Sequence, residues 1–180
     1  MNIVVYCSAN DNLPEQIAAI ASELGRWIGE GGHTLVYGGV NAGLMHVMAQ
    51  AAHDAGCRSI VGIVPEMFRH RADPLCSELV LARDLNHRKA QLIAHGDAFV
   101  VLPGGLGTID EWISTLSHLV VEGSCRPIVV VNHDGMYAPL ARQLEVTAQS
   151  QFSRSPLIAS SMLVNNSTEL INKLNQINKQ

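Results

Sequence analysis

Short apolar runs rich in β-branched residues alternate along this chain with longer segments of helical period, and this alternation is the feature that most constrains the fold. It predicts strands near residues 2–7, 34–37, 59–64, 78–82, 97–102 and 127–132, with a weaker strand near 161–164. Strands separated by helices are typical of a parallel sheet covered on both faces. The sequence therefore predicts an α/β fold of the doubly wound kind, with a mostly parallel sheet and helices on both faces.

The segment between the first two predicted strands has the pattern of an amphipathic helix. It is expected to begin after Asp11 and Asn12 with Pro14 in its first turn, and to end at the glycine pair 31–32. Its apolar face is formed by Ile17, Ile20, Leu24, Trp27 and Ile28. These residues recur at helical spacing, so we expect them to pack on the sheet.

We predict one domain that spans residues 1–180. The chain has 180 residues, of which 47% are apolar and 16% are charged, and this suits a single core of ordinary size. We find no Ser/Pro-rich linker and no internal repeat. The polar, Asn/Gln-rich tail from 165 to 180 is predicted to fray.

Charge and cysteine content narrow the partners and the location. The net charge is −4 and no Lys/Arg cluster is present, so neither nucleic acid nor a membrane surface is an expected partner and a small molecule is favoured. The four cysteines form no C-x-x-C pair, which is typical of reduced thiols and predicts a cytoplasmic location. Neither export nor membrane insertion is indicated, because no signal-peptide pattern and no apolar run near 18 residues is found.

Residues 103–111, Pro-Gly-Gly-Leu-Gly-Thr-Ile-Asp-Glu, directly follow an apolar strand. A strand that breaks at a proline and a glycine cluster and then opens into a helix presents bare backbone N–H groups at a positive helix end. The segment therefore predicts a phosphate cradle. An acid three residues after Thr108 indicates that chemistry takes place beside the phosphate.

Other polar and glycine-rich segments are expected at the same edge of the sheet. In a parallel sheet the turns after the strands share the carboxyl edge, where ligands bind. Residues 7–10, 38–43, 65–66 and 86–89 follow the other strands. We therefore expect Arg88, near the start of its helix, and Glu111, in the first turn of the next, to face one crevice.

Each element also has a purely structural interpretation. Thr108 and Glu111 match the spacing of a helix capping box. Arg88 could be a solvated arginine, Gly38 and Gly39 could serve a tight turn, and Met45 could be a core residue. The eight histidines are dispersed, so no metal site is predicted.

Taken in order, residues 36–39 (Val-Tyr-Gly-Gly), 43–45 (Gly-Leu-Met), 88–89 (Arg-Lys) and 103–111 resemble the LOG ("Lonely guy") family. That family is known for cytokinin riboside 5′-monophosphate phosphoribohydrolases and was formerly labelled as lysine decarboxylases. The resemblance covers most of the chain and includes the hallmark pairing of Arg-Lys with P-G-G-x-G-T-x-x-E. It implies a single Rossmann-like domain that acts as a cofactor-free hydrolase.

The resemblance implies hydrolysis of the N-glycosidic bond of a nucleoside 5′-monophosphate, either a cytokinin riboside 5′-monophosphate or AMP, to free base and ribose 5-phosphate. It implies that Arg88 and Glu111 are catalytic. The implied phosphate-binding residues are Gly104, Gly105, Gly107 and Thr108. The implied ribose- or base-binding residues are Ser8, Gly38, Gly39, Met45 and Lys89.

The sequence departs from the family pattern at several positions and leaves alternatives open. Val40 replaces a usual glycine, His46 stands where a glycine is common, and Asp110 replaces the frequent first glutamate of a Glu-Glu pair. These changes bear on which base is preferred. A non-catalytic nucleotide- or cofactor-binding carrier of the same fold is the main alternative function.

Two further functions are less well supported. A pyridoxal-phosphate decarboxylase needs a Schiff-base lysine, for which Lys89 is the one plausible candidate. A dinucleotide oxidoreductase does not fit the G-G-x-G-T loop, which follows a late strand.

A homodimer is expected through the helix after the glycine loop. Its apolar residues are Trp112, Ile113, Leu116, Leu119, Val120 and Val121, more than a single sheet-facing stripe requires. The resemblance also implies a dimer, in which neighbouring subunits complete each other's base pocket.

Overall fold

The computed structural model describes residues 1–152 and 160–179. Within these residues seven strands form one sheet: β1 (Asn2–Tyr6), β2 (Thr34–Tyr37), β3 (Ile60–Pro65), β4 (Glu78–Ala82), β5 (Ala98–Val101), β6 (Ile128–Val131) and β7 (Met162–Val164). All seven predicted strands are therefore confirmed, with boundaries that agree within two residues.

Six α-helices lie within the described residues: α1 (Glu15–Glu30), α2 (Gly43–Asp54), α3 (Leu85–His95), α4 (Leu106–Glu122), α5 (Ala138–Gln149) and α6 (Ser167–Ile177). Pro14 precedes α1 as its N-cap instead of lying in the first turn, because its ψ of 141° is extended. The frayed tail was a wrong prediction. Asn166 caps α6 by accepting a hydrogen bond from the Glu169 N–H, and Leu170 and Leu174 are fully buried.

The described strands are all parallel and lie in the order β4-β3-β2-β1-β5-β6-β7. The chain builds outward from β1 to β4, then returns to the other side of β1 with β5. The connections after β1 and β5 therefore diverge, and a crevice opens between them at the carboxyl edge. This is the doubly wound fold that the alternation of strands and helices predicted.

Both faces of the sheet are covered, which explains why the central strands are apolar without interruption. Along β1, Ile3 and Val5 contact the layer formed by α1, α2 and α6, whereas Val4 and Tyr6 contact the opposite layer. That opposite layer is formed by α3, α4 and α5. The two cores fix the helices on either side and so hold the loops at the carboxyl edge in place.

The apolar surface of α4 is smaller than the sequence predicted. Trp112, Leu116 and Leu119 are buried in the core, and Ile113 and Val120 pack partly against it. Val121 is 85% exposed. The core therefore covers most of the residues that were expected to form a dimer contact.

Two observations relate to the expected location. The four cysteines are free thiols, of which Cys7 is buried and Cys125 is exposed. No helix within residues 1–152 and 160–179 combines the length and apolar character that crossing a bilayer requires.

Candidate functional site

A cavity of about 280 Å³ lies at the carboxyl ends of β1 and β5, where the topology opens the crevice. Most of the sequence-predicted site residues line it: Ser8, Met45, Arg88, Lys89, Gly105, Gly107, Thr108 and Glu111. They come from the β1 loop, α2, α3 and α4, so the fold gathers them from four separate segments. A second, larger cavity of about 530 Å³ lies by Met1 and Asp97, and its described lining includes none of these residues.

The N-terminus of α4 forms one wall of the 280 Å³ cavity. Gly105 is the extended residue that precedes the helix. The backbone N–H groups of Leu106, Gly107 and Thr108 have no backbone acceptor among the described residues, as expected for the first turn of a helix. A Cβ added at Gly105 or Gly107 would meet nothing within 4 Å. These N–H groups are therefore accessible to an anion.

Gly104 has a different position from the other two glycines. A Cβ at this residue would lie 2.8 Å from the Thr108 Cβ and 3.1 Å from the Ser8 backbone nitrogen. The Ser8 N–H in turn donates to the Pro103 carbonyl over 3.3 Å. Glycine is thus required here because the β1 loop and α4 approach each other closely. Gly104 shapes the loop and is not part of the cavity lining.

Tyr137, which directly precedes α5, supports this loop through its hydroxyl group. The sequence analysis did not identify this residue. Its buried hydroxyl donates to the Leu102 carbonyl at 3.1 Å and lies 3.4 Å from the Gly104 carbonyl. Burial raises the pKa of Tyr137 to about 12, so the hydroxyl stays protonated at neutral pH and can act as the donor. The signal that could have revealed it is its place just beyond the carboxyl end of β6.

Arg88 and Glu111 form an ion pair across α3 and α4. Arg88 Nη1 lies 2.7 Å from Glu111 Oε1, and the two side chains are 13% and 7% exposed. The Arg88 Nε–H also donates to the Ile63 carbonyl over 3.0 Å. The guanidinium is therefore fixed between the end of β3 and the carboxylate, and it is not a solvated surface group.

Glu111 does not cap its helix. The helix begins at Leu106, so Thr108 is its third residue and Glu111 its sixth, in the second turn and not the first. The capping box requires the first member of the motif to precede the helix, and Gly105 occupies that position without a side-chain cap. Glu111 instead points inward, to the cavity and to Arg88.

Burial raises the pKa of Glu111 above the usual range of a carboxyl group, because the charged form loses its hydration. The Arg88 guanidinium opposes this rise through its charge and its hydrogen bond. The protonation of Glu111 therefore depends on its arginine partner. A carboxyl group with a raised pKa beside a cavity can accept a proton more readily than an exposed one.

Gly38 and Met45 lie behind the arginine. A Cβ at Gly38 would crowd Arg88 Nη2 and lie 2.8 Å from Met45 Cε, so glycine leaves room for both side chains. Gly39 has a φ of +64° and packs against Gly62 of β3, away from the cavity lining.

Lys89 lines the cavity next to Arg88 and is held by α4. Its Nζ lies 2.9 Å from Asp110 Oδ2 and 3.3 Å from Ser114 Oγ. Within the described residues, no group of three or more His, Cys, Asp or Glu side chains is arranged to hold a metal ion.

Comparison with known proteins gives two kinds of similarity. Residues 45–174 match the family described as "Possible lysine decarboxylase". The chain is 36% identical to the cytokinin riboside 5′-monophosphate phosphoribohydrolase of Rhodococcoides fascians, over 84% of this chain and 77% of that protein. It is 32% identical to the enzyme of the same name, LOG3, of Arabidopsis thaliana, over 97% of this chain and 81% of that protein.

Similarity to solved structures extends to more distant proteins. The molybdenum cofactor binding protein of Rippkaea orientalis superposes with a TM-score of 0.77, covering 98% of this chain and 96% of that one. The sequence identity is 21%, so this similarity concerns the fold alone.

Proposed function

The chain belongs to the LOG family, formerly described as possible lysine decarboxylases, and we propose that it hydrolyses the N-glycosidic bond of a nucleoside 5′-monophosphate. The products are a free base and ribose 5-phosphate. The observation that carries the proposal is the Arg88–Glu111 ion pair, which faces the same cavity as the bare N-terminus of α4. A carboxylate thus lies close to an anion-binding helix end.

The phosphate binds at the start of α4. The N–H groups of Gly105, Gly107 and Thr108 replace its water shell, and the positive end of the helix favours the negative charge. Gly104 keeps the loop narrow enough for this approach. Anchoring the phosphate fixes the sugar above the loop, so that the reacting carbon is oriented before the bond breaks.

Glu111 acts on the sugar and on the attacking water. As the bond from the sugar carbon to the base nitrogen breaks, its electron pair leaves with the base and positive charge develops on the ribose ring. The Glu111 carboxylate stabilises that charge. The water oxygen bonds to the sugar carbon and Glu111 accepts a proton from the water, while the departing base nitrogen takes up a proton from solvent. Glu111 then releases its proton to solvent and is ready for the next substrate.

Arg88 favours the ionised form of Glu111, since the ion pair opposes the rise in the pKa of the carboxyl group that burial causes. One guanidinium nitrogen, Nη1, contacts the carboxylate and Nε contacts the Ile63 carbonyl, which orients the side chain. Lys89 lies at the cavity wall, near the sugar, and its ammonium donates to Asp110 and Ser114. The charge that Lys89 brings to this wall is therefore paired with Asp110.

The base lies beyond the ribose, where Ser8 and Met45 line the cavity. Gly38 leaves room for the side chains of Met45 and Arg88, and Gly39 shapes the loop behind them. The cavity mouth also carries apolar side chains. Leu85 lines the cavity and is 55% exposed, and Leu106, between the lining residues Gly105 and Gly107, is 83% exposed. Such a rim suits an apolar substituent on the base, as in a cytokinin riboside 5′-monophosphate, and AMP would use the same phosphate and ribose contacts.

The test is hydrolysis of AMP and of isopentenyladenosine 5′-monophosphate, with free base and ribose 5-phosphate followed by chromatography. The unphosphorylated ribosides serve as substrate controls. The wild type is compared with Glu111→Gln, and with Glu145→Gln as a matched control, because Glu145 lies in an exposed pair with Arg142 on α5. We expect both products from a monophosphate, loss of activity only in Glu111→Gln, and no release from the ribosides.

Binding of AMP without release of base from either monophosphate would contradict hydrolysis and favour the nucleotide- or cofactor-binding carrier. Calorimetry with AMP on the same protein provides that comparison. The preferred monophosphate also decides between AMP and a cytokinin riboside 5′-monophosphate.

A homodimer is part of the proposal, formed through the exposed side of α4. Val121 is exposed there, and dimerisation would cover it. Light scattering should give twice the chain mass, and Val121→Glu should favour the monomer. Val146→Glu on α5 is the control, since Val146 is also exposed. A wild type that is monomeric at every concentration would contradict the dimer.

A further inference from the structure

Two ion pairs lie side by side between α3 and α4. The inner pair joins Arg88 to Glu111, and the outer pair joins the next residue of α3, Lys89, to the preceding residue of α4, Asp110. All four side chains line the same cavity. The outer pair is more accessible, since the Asp110 side chain is 54% exposed and that of Glu111 is 7% exposed.

The outer pair has a defined geometry. Lys89 Nζ lies 3.0 and 2.9 Å from the two carboxylate oxygens of Asp110 and 3.3 Å from Ser114 Oγ. An ammonium group has three protons, so these three acceptors can take all of its donors. Ser114 Oγ also donates to Asp110 Oδ1 over 3.3 Å. Asp110 therefore fixes the position of the Lys89 charge.

The titratable groups around Glu111 come from α3, from α4 and from the end of β1. Arg88 and Lys89 face it from α3, and Asp110 adjoins it on α4. Tyr6 at the end of β1 and Cys7 just after it also face Glu111, but burial raises the pKa of both, so each is neutral at neutral pH. The charges that act on Glu111 are thus two positive groups and one negative group.

We propose that Asp110 is a positioning residue that pairs with Lys89 at the cavity wall and so leaves Arg88 as the cation that acts on Glu111. The proposal rests on the proposed function only where it concerns the rate of hydrolysis. Without Asp110, the Lys89 charge acts on Glu111 uncompensated or pairs with it directly, and in either case the ionised carboxylate is favoured. Without Lys89, the negative charge of Asp110 acts on Glu111 and disfavours it.

A double-mutant cycle that removes each charge of the outer pair tests this proposal. The variants are Asp110→Asn, Lys89→Met and the double variant, with Asp110→Glu as the conservative rescue. Glu145→Gln removes the same charge from a remote ion pair and controls for net charge. The ionisation of Glu111 is measured by nuclear magnetic resonance of ¹³C-labelled glutamate carboxyl groups, with the Glu111 signal identified by its loss in Glu111→Gln. The acid limb of the kcat/KM profile is the second readout.

We expect the Glu111 midpoint to move to lower pH in Asp110→Asn and to higher pH in Lys89→Met. It should return to the wild-type position in the double variant, and stay there in Asp110→Glu and Glu145→Gln. A midpoint in Asp110→Asn that matches the wild type, or a double variant that shifts as far as Lys89→Met, would overturn the proposal. The titration of the Glu111 carboxyl group needs no substrate. If the midpoints shift as expected but the wild type hydrolyses no monophosphate, this proposal is supported and only the proposed function is contradicted.

Discussion

Arg88 Nη1 lies 2.7 Å from Glu111 Oε1, in an ion pair that joins the second turn of α4 to the start of α3 at the wall of a cavity. Neither residue is placed there by its own helix alone. Arg88 is positioned by the Ile63 carbonyl of β3 and by the space that Gly38 leaves open. The pair therefore depends on β3 and on the loop after β2, two strands that are neighbours in the sheet.

Replacing Arg88 with Met is expected to shift the pH dependence of hydrolysis. The substitution keeps an unbranched apolar stem but removes the cation that opposes the raised pKa of Glu111. A base must be ionised to act, so activity is lost as the pH falls through this pKa, and a further rise moves the loss to higher pH. The acid limb of kcat/KM should therefore lie at higher pH in Arg88→Met. An unchanged acid limb would show that Arg88 does not control Glu111.

The same variant should lose stability as the pH rises. Removing one partner of a buried ion pair costs about 3–5 kcal/mol while the other stays charged. With the pKa of Glu111 raised in the folded state, that state binds more protons than the unfolded chain, so stability falls with increasing pH. The difference in Tm between Arg88→Met and wild type should be larger at pH 8 than at pH 5. Arg142→Met, from an exposed pair, should show no such trend.

Gly38→Ala is expected to displace the arginine. The added methyl group would crowd Arg88 Nη2 and the end of Met45, and overpacking of this kind costs about 1–3 kcal/mol. We expect a lower Tm and a lower kcat/KM, measured on the same preparation. Wild-type activity in Gly38→Ala would mean that the observed place of Arg88 is not the active one.

The sheet and most of the site could be predicted because both follow from short-range patterns. The strands are apolar on both faces, which gives a strong signal, and parallel strands bring their carboxyl ends to one edge. Residues as distant in sequence as Ser8 and Glu111 therefore meet in one cavity. The glycine loop could be interpreted locally, since it directly follows β5.

Long-range and side-chain details could not be predicted. The Thr108–Glu111 spacing fits a capping box as well as a place in the crevice with Arg88, and only the start of the helix at Leu106 excludes the capping box. The polar tail hides a helix that buries only Leu170 and Leu174, too few apolar residues for a clear pattern. The place of Tyr137 just beyond β6 is its one sequence signal, and this signal does not show that the hydroxyl donates to the Leu102 carbonyl at the end of β5.

Tyr137→Phe should weaken phosphate binding while keeping the ring packed against Trp112. The variant removes the hydroxyl that donates to the Leu102 carbonyl beside the glycine loop. Calorimetry with ribose 5-phosphate measures the effect. We expect the affinity to fall by at most tenfold, which corresponds to about 1.4 kcal/mol of binding free energy. Tyr37→Phe removes a buried hydroxyl near Cys76 and serves as the control. Equal affinities in the two variants would exclude a role for Tyr137 in the cradle.

Leu174→Ala should destabilise the whole chain, because this leucine of α6 is fully buried in the core beside α1. Truncation of a buried leucine costs about 2–5 kcal/mol. The free energy of unfolding in urea should fall by this amount, whereas Gln176→Ala on the exposed side of α6 should change it by less than about 0.5 kcal/mol. A loss of less than 1 kcal/mol in Leu174→Ala would mean that α6 frays, as the sequence suggested.

Gly107→Ala separates stability from binding. Gly107 is the second residue of α4, and a Cβ there would meet nothing within 4 Å. Alanine reduces the conformational entropy of the unfolded chain, so the variant should be more stable than wild type by about 0.4–1 kcal/mol. The same methyl group stands at the helix end where the phosphate is proposed to bind, so KM for AMP and the Kd for ribose 5-phosphate should both increase. A stabilised variant with unchanged KM and Kd would place the phosphate elsewhere, because a methyl group cannot share the space in which an anion contacts the bare N–H groups of the first turn.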